Sequence, residues 1–416
     1  MILPLKNKHL TAIDGPNFSG RTYLLRLMTG LETDVDGRYP QSNTQEQGAA
    51  YIGPEIYNAI SGLAPTVEEE LNIHMAGSRY KEELEKMNEI LGLSDLKQRN
   101  PVTLSGGEQA MLTLSCALGL SPGCLAIDSA FEQVSTENRK QLTSRIMKGV
   151  FPGTSFFLAD NRLSEYPEIQ ETVPIPDQIH TPDKQRLLPI APLNAEIDLP
   201  LSIQDTASLT LDHLDFQYPH GPHVIKDLNL TLEPGRLYTL TGKNGAGKST
   251  LAKLLCGVLQ PDQGHIRLNQ EIYDAWASPG RQVGYHFQNP DLQLFSTHVE
   301  DEIAAGPGAQ QVEARQIGGR TEALMNAFGL SGLKEDHPLE MPFVIRKRIA
   351  LAATLAMGCP WLILDEPTLG QDHTSALALK SMIDQMSSKG FGIVVISHSE
   401  WFRSLLDAEE IKLGDD

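Results

Sequence analysis

The chain has 416 residues, enough for two or three domains with sizeable buried cores. Its apolar and charged fractions, 40% and 21%, are those of an ordinary soluble globular protein. Lys and Arg number 34 against 53 Asp and Glu, and the resulting net charge of −19 argues against a general nucleic-acid binder, because neutralising a phosphate backbone takes clustered cations.

The opening MILPLKNKHLTAIDG has no signal-peptide layout. No apolar run reaches the roughly 18 uninterrupted residues of a membrane span. The nearest, AMLTLSCALGLSPGCLAID, is broken at Ser121-Pro122-Gly123 and ends in Asp128. Cys116, Cys124, Cys256 and Cys359 lie in apolar stretches without metal-ligand spacing and read as reduced core thiols.

HLTAIDG predicts a first strand, and GPNFSGRT follows it as a glycine-framed loop with Arg21 where a phosphate loop carries lysine. YIGPEIYNAISGL comes next, then LSGGEQ at Leu104–Gln109. CLAID and SFFLAD predict two further strands, the first ending in Asp128 with Ser129 behind it. Residues 173–200 hold six prolines and no helical or strand period, which predicts an extended linker.

Beyond the linker, SLTLDHLDFQY and RLYTLTG predict strands, and the second runs into GKNGAGKST, Gly242–Thr250. In such a loop Gly242, Asn244, Gly245 and Gly247 let backbone N–H groups close around phosphate oxygens, and the helix opening at Lys248, Ser249 and Thr250 adds positive potential. Lys248 is spaced to reach the β- and γ-phosphates, and the Ser249 hydroxyl to coordinate Mg²⁺. WLILDEPT places Asp365 at a strand end, where it can hold Mg²⁺ directly or through water, and Glu366 beside it, where a general base can deprotonate the attacking water.

The two halves repeat one order of signals. Asp128 and Asp365 lie 237 residues apart, as do Leu104 and Met341, while Asp160 and His398 lie 238 apart. A near-constant offset predicts a tandem duplication. The alternation of apolar strands and helical stretches predicts an α/β fold of two phosphate-loop cassettes, each a mostly parallel sheet with flanking helices and a helical subdomain. The expected boundaries are 1–172, a linker 173–204, and 205–416. Only 14 residues precede Gly15, so the first cassette is expected to lack an opening β-subdomain.

With these motifs together, the chain resembles the ATP-binding-cassette ATPases over almost its whole length. HFQNPDLQLF matches their Q-loop and implies Gln288 near Mg²⁺ and the attacking water. VVISHSE matches their switch strand and implies His398 at the γ-phosphate. FQYP implies Tyr218 stacked on adenine, and LGQD, Leu369–Asp372, matches the loop that crosses between cassettes. FQNPDLQLFSTHVEDEI is similar to the cobalt, nickel and vitamin-uptake branch, the energy-coupling-factor transporters.

The resemblance implies ATP and Mg²⁺ as ligands and hydrolysis coupled to transport. It also implies an integral membrane partner absent from this chain, and a peripheral position at the cytoplasmic face. Cassettes of this family pair head to tail, so the two halves are expected to pair within one chain, compatible with a monomer. Ser105, Gly106, Gly107 and Glu108 would then complete the site built around Lys248. The losses sort by site. Met341–Ile345 replace LSGGE in the second half. Arg21, Ser129 and Asp160 replace lysine, base and switch histidine in the first, whose Q-loop counterpart contains no glutamine. One working composite site and one relaxed site are expected, with Ser135 standing for aspartate in the working site's crossing loop.

Two other readings stay open: a soluble ATPase of the same fold acting on ribosomes or DNA, and a nucleotide-gated scaffold with little turnover. The proline-rich rather than basic helical linker stands against the first. For the transport reading, Leu292, Leu294 and Phe295 beside Asp291, Glu300, Asp301 and Glu302 are expected to form an apolar, acid-rimmed groove for a basic helix of the partner.

Overall fold

The computed structural model describes residues 10–414 apart from 16, 18, 33–47, 57–59, 135, 164, 165, 167, 168, 170, 171, 176–192, 194–205, 220, 222 and 244. Most of the expected linker lies outside the described residues, as do Asn244 and Ser135. The chain divides into two compact units, Met1–Leu187 and Leu188–Asp416.

The first unit holds β1 (Leu10–Asp14), β2 (Ala49–Ile52), β3 (Cys124–Asp128), β4 (Ser155–Ala159) and β5 (Thr172–Pro174), joined in the order β2-β3-β4-β1-β5, every pair parallel. Parallel strands need helical crossovers that cover both faces, so their residues are apolar without alternation. All five residues of β3 are buried accordingly. Val173 and Pro174, counted in the linker by composition, pair with β1 instead; an edge strand tolerates the missing proline N–H.

The second unit holds two sheets. An antiparallel one, in the order β10-β9-β6-β7, comprises β6 (Leu209–Gln217), β7 (His223–Leu232), β9 (Gln263–Leu268) and β10 (Glu271–Ile272). The other, parallel, comprises β8 (Leu237–Thr241), β11 (Val283–His286), β12 (Trp361–Asp365), β13 (Gly392–Ile396) and β14 (Glu409–Lys412), in the order β11-β12-β13-β8-β14. The first unit shows no antiparallel sheet among its described residues.

The two parallel sheets are wound alike, and their registers fix the duplication residue by residue. Cys124 pairs with Ser155 as Trp361 pairs with Gly392, and Asp128 pairs with Ala159 as Asp365 pairs with Ile396. The 237-residue offset therefore continues through β4 and β13. The counterpart of His398 is Asn161, not Asp160, which matches Ser397. The turns agree: Arg162 N–H donates to Asp160 Oδ1 at 2.8 Å as Ser399 N–H donates to Ser397 Oγ at 3.2 Å. A slip of one residue at a strand end exchanges which side chain faces the core.

Candidate nucleotide site

In the second unit the loop after β8 wraps onto helix Lys248–Leu255, whose N-cap Gly247 is left-handed at φ 94°. A Cβ there would lie 2.9 Å from both Val224 Cγ1 and Ile225 Cδ1, so only glycine fits. Lys248 folds back over the loop, its Nζ donating to Gly242 O at 2.8 Å and Lys243 O at 3.1 Å. Burial pulls its ammonium below the usual range, with Asp365 and Glu366 opposing. The hydroxyls of Tyr218 and Thr250 lie 3.2 Å apart, joining the end of β6 to this helix, and the Tyr218 ring meets Phe216 edge-on at 4.9 Å.

Asp365, buried at the end of β12, accepts from Ser249 Oγ at 2.9 Å and Tyr285 Oη at 2.8 Å on the same oxygen. Burial pushes its carboxyl above the ordinary value, against those two donors. The paired Ser249 and Asp365 oxygens are a hard donor set of the kind that would fit Mg²⁺. Sequence reasoning missed Tyr285; a tyrosine next to last in the strand before a glutamine loop was the available signal.

Glu366 stands in the left-handed region at φ 47°, a conformation that costs a non-glycine residue roughly 1–3 kcal/mol. Its N–H donates to Ile396 O at 2.8 Å. Its buried carboxylate accepts from His398 N–H at 2.5 Å and Ser397 Oγ at 3.2 Å. Gln288 is half-buried, and its carbonyl accepts from Lys347 Nζ at 3.2 Å. Lys347 also donates to Phe287 O at 3.3 Å and Asp365 O at 3.4 Å; burial pulls its ammonium down to about 7, with Asp365 and Glu366 opposing.

The first unit keeps the frame and changes the chemistry. Gly20 caps helix Arg21–Met28 at φ 95°. The buried Arg21 guanidinium donates to Gly15 O and Asn17 Oδ1 at 2.9 Å each, and to Asn161 Oδ1 at 2.5 Å. Asp128 accepts from Tyr51 Oη at 3.1 Å; burial raises its carboxyl while Arg21 lowers it. Ser129 takes the place of Glu366, left-handed at φ 55°, with its N–H on Ala159 O at 2.7 Å.

Ser105 N-caps helix Gly106–Gly119 in a reciprocal capping box: its N–H donates to Glu108 Oε2 at 2.7 Å and its Oγ accepts from Glu108 N at 3.5 Å. The Glu108 carboxylate is thus turned onto its own helix, while Ser105 stays exposed and Gly106 and Gly107 half-exposed. The matching helix, Phe343–Ala356, starts at Pro342 without a side-chain cap, and Met341, Phe343 and Ile345 are buried.

The family model for ABC transporters matches residues 1–132 and 225–369. The chain belongs to the ABC transporter family. A putative ABC transporter ATP-binding protein of Treponema denticola is 24% identical over 440 residues, covering 96% of this chain and 88% of the relative. An energy-coupling factor transporter ATP-binding protein of Thermotoga maritima is 33% identical over 190 residues, 46% of this chain and 72% of the relative. Among solved structures, a part of the cbiONQ ABC transporter complex of Clostridium perfringens is 29% identical, covering 47% of this chain and 80% of that one, with a TM-score of 0.41. As an ABC protein the chain is an ATP-binding, ATP-hydrolysing subunit of the transporter type.

The expected groove of this ABC chain is narrower than its sequence suggested. Leu292 and Phe295 are 71% and 75% exposed, but Leu294, at 5%, belongs to the core. Glu302 is buried and accepts from Phe295 N at 2.8 Å and Ser296 N at 2.7 Å, so it shapes the loop from inside. Asp291 pairs with Arg346 at 3.1 Å, Glu300 with Lys334 at 2.8 Å and Asp301 with His298 at 3.0 Å. Asp291 and Glu300 thus answer cations of their own unit. The first unit repeats the plan with exposed Leu63 and buried Glu70, which accepts from Ser61 N at 2.9 Å.

Proposed function

We propose that the chain energises an uptake transporter of the metal-ion or vitamin type, through one working ATP site to which both units contribute. One observation carries this reading. Lys248, Ser249, Asp365 and Glu366 converge in the second unit, whereas the same places in the first hold an arginine engaged by Gly15, Asn17 and Asn161, and a serine. The only intact Leu-Ser-Gly-Gly turn lies in the unit that lost the base. The likeness to an energy-coupling factor relative supports the uptake type.

In this reading the loop N–H groups and Lys248 hold the triphosphate, and Tyr218 stacks on adenine. Ser249, Asp365 and Gln288 hold Mg²⁺, which neutralises phosphate charge when bound. Glu366 takes the proton of the attacking water, and His398 contacts the γ-phosphate. Ser105, Gly106 and Gly107 of the first unit close the site as anion-binding donors at a helix start. ATP favours the closed form because it contacts both units only there, and hydrolysis removes that preference. No helix among the described residues is long and apolar enough to cross a membrane, so the chain would work at the cytoplasmic face through a membrane partner.

Lys248→Ala is expected to weaken ATP binding by at least about tenfold, since a charge-assisted phosphate contact is lost. Equilibrium titration with a fluorescent ATP analogue measures it, and unchanged affinity would move the nucleotide elsewhere. Phe295→Asp places a charge on the exposed apolar tip of the groove. It is expected to abolish co-purification with the membrane partner while basal hydrolysis of the purified protein survives. Leu294→Asp, by contrast, is expected to unfold the unit, because it buries a charge in the core. Intact co-purification of the Phe295 variant would count against this groove as the docking place.

A further inference from the structure

We propose that Lys347 is a positioning residue for ATP hydrolysis, holding the backbone of the Gln288 loop in register with the peptide that carries Glu366. The inference rests on the nucleotide-site reading above. Lys347 is buried on helix Phe343–Ala356, and its ammonium meets three carbonyls, Phe287 O at 3.3 Å, Gln288 O at 3.2 Å and Asp365 O at 3.4 Å. In its charged form the lysine offers three donors, and all three have acceptors here.

The third contact gives the lysine its leverage. Asp365 C=O and Glu366 N–H belong to one peptide plane. Ile396 O holds that plane by its N–H at 2.8 Å, and Lys347 holds it by its carbonyl. Glu366 is the strained residue that follows, so a plane fixed on both edges keeps the carboxylate aimed where His398 and Ser397 meet it. The same ammonium sets the loop on which Gln288 sits. One cation therefore spans the two segments that must act together on the water.

The fold itself does not require this lysine. Helix Gly106–Gly119 lies 237 residues earlier, end for end, and its residue at the same place is the buried Ala110. The first unit builds the same parallel sheet around it, and the Asp128–Ser129 peptide keeps its N–H bond to Ala159 O. That unit has no glutamine in its loop and no glutamate after Asp128. A buried ammonium is costly to desolvate, and it is found in the unit that keeps the catalytic side chains.

Lys347→Met keeps an unbranched apolar stem, one atom shorter, and removes every donor. In the full chain it is expected to lower kcat by about tenfold or more while the KM for MgATP changes by less than about twofold. Lys347→Gln, which keeps two N–H donors, is expected to fall between the Met variant and the parent. A Met variant that turns over at the parent rate overturns the proposal, and so does a loss confined to KM. Should the Met variant fail to fold, the Gln variant decides, and a folded Gln protein with parental kcat overturns it. Lys248→Ala separates the two levels: if that change leaves nucleotide affinity intact, the site reading fails first. If it behaves as expected and Lys347→Met is silent, only the role of Lys347 falls.

Discussion

Glu366→Gln is expected to slow ATP hydrolysis by a factor on the order of 10² or more while leaving nucleotide binding intact. The substitution keeps the size and shape of a buried side chain whose two oxygens are already committed, one to His398 N–H and the other to Ser397 Oγ. An amide oxygen can still accept from His398, and an amide nitrogen can donate to the serine hydroxyl, so the strained turn stays in place. What disappears is the capacity to take a proton. Lys248, Ser249 and the loop are untouched, so bound ATP should accumulate. Phosphate release under single-turnover conditions, set against equilibrium nucleotide binding, measures both halves of the prediction. Turnover near the parent rate would remove Glu366 from the role of base.

Ser105→Arg is expected to cost a similar factor, roughly 10², although Ser105 belongs to the other unit. The residue is exposed at the start of its helix, so a large side chain there blocks approach to the neighbouring Gly106 and Gly107 N–H groups. Loss of the cap itself costs about 1 kcal/mol, a modest shift in a thermal melt. A nearly normal melting curve with lost hydrolysis would therefore separate the functional effect from a folding one. Phe343→Leu, at the matching place in the second unit, changes only buried packing and should leave the rate near that of the parent. If Ser105→Arg hydrolysed ATP as fast as the parent, the turn would have no part in the working site.

Much of this was legible in the sequence, because the informative signals are local. A glycine-framed loop after a strand, and an Asp-Glu pair at a strand end, are set by backbone geometry within a few residues. The structure finds both where the sequence puts them. What was hidden depends on which way a side chain turns. Of the apolar trio Leu292, Leu294 and Phe295, only the middle one enters the core, and no pattern of three neighbours tells that. Glu302 looks like one more acid on a solvated helix start, yet it caps two N–H groups from inside. Sequence spacing alone sets Asp160 against His398, because one residue of slip is invisible without a partner strand; pairing exposes it. Arg346, Lys347 and Arg348 are three consecutive cations, and tertiary packing buries all three.

The bend at Ser129 has a meaning that comparison within one molecule brings out. A left-handed residue at the end of a central strand invites the conclusion that catalysis demanded the distortion. Here the chain supplies its own control. Ser129 and Glu366 share the bend, with φ of 55° and 47° and N–H bonds of 2.7 and 2.8 Å to the adjacent strand, although the serine has no carboxylate to aim. The distortion is therefore inherited architecture, imposed where the chain leaves one strand while still bonded to the next. The bend thus holds with a serine in the glutamate's place, so the side chain at this position can change without the backbone relaxing.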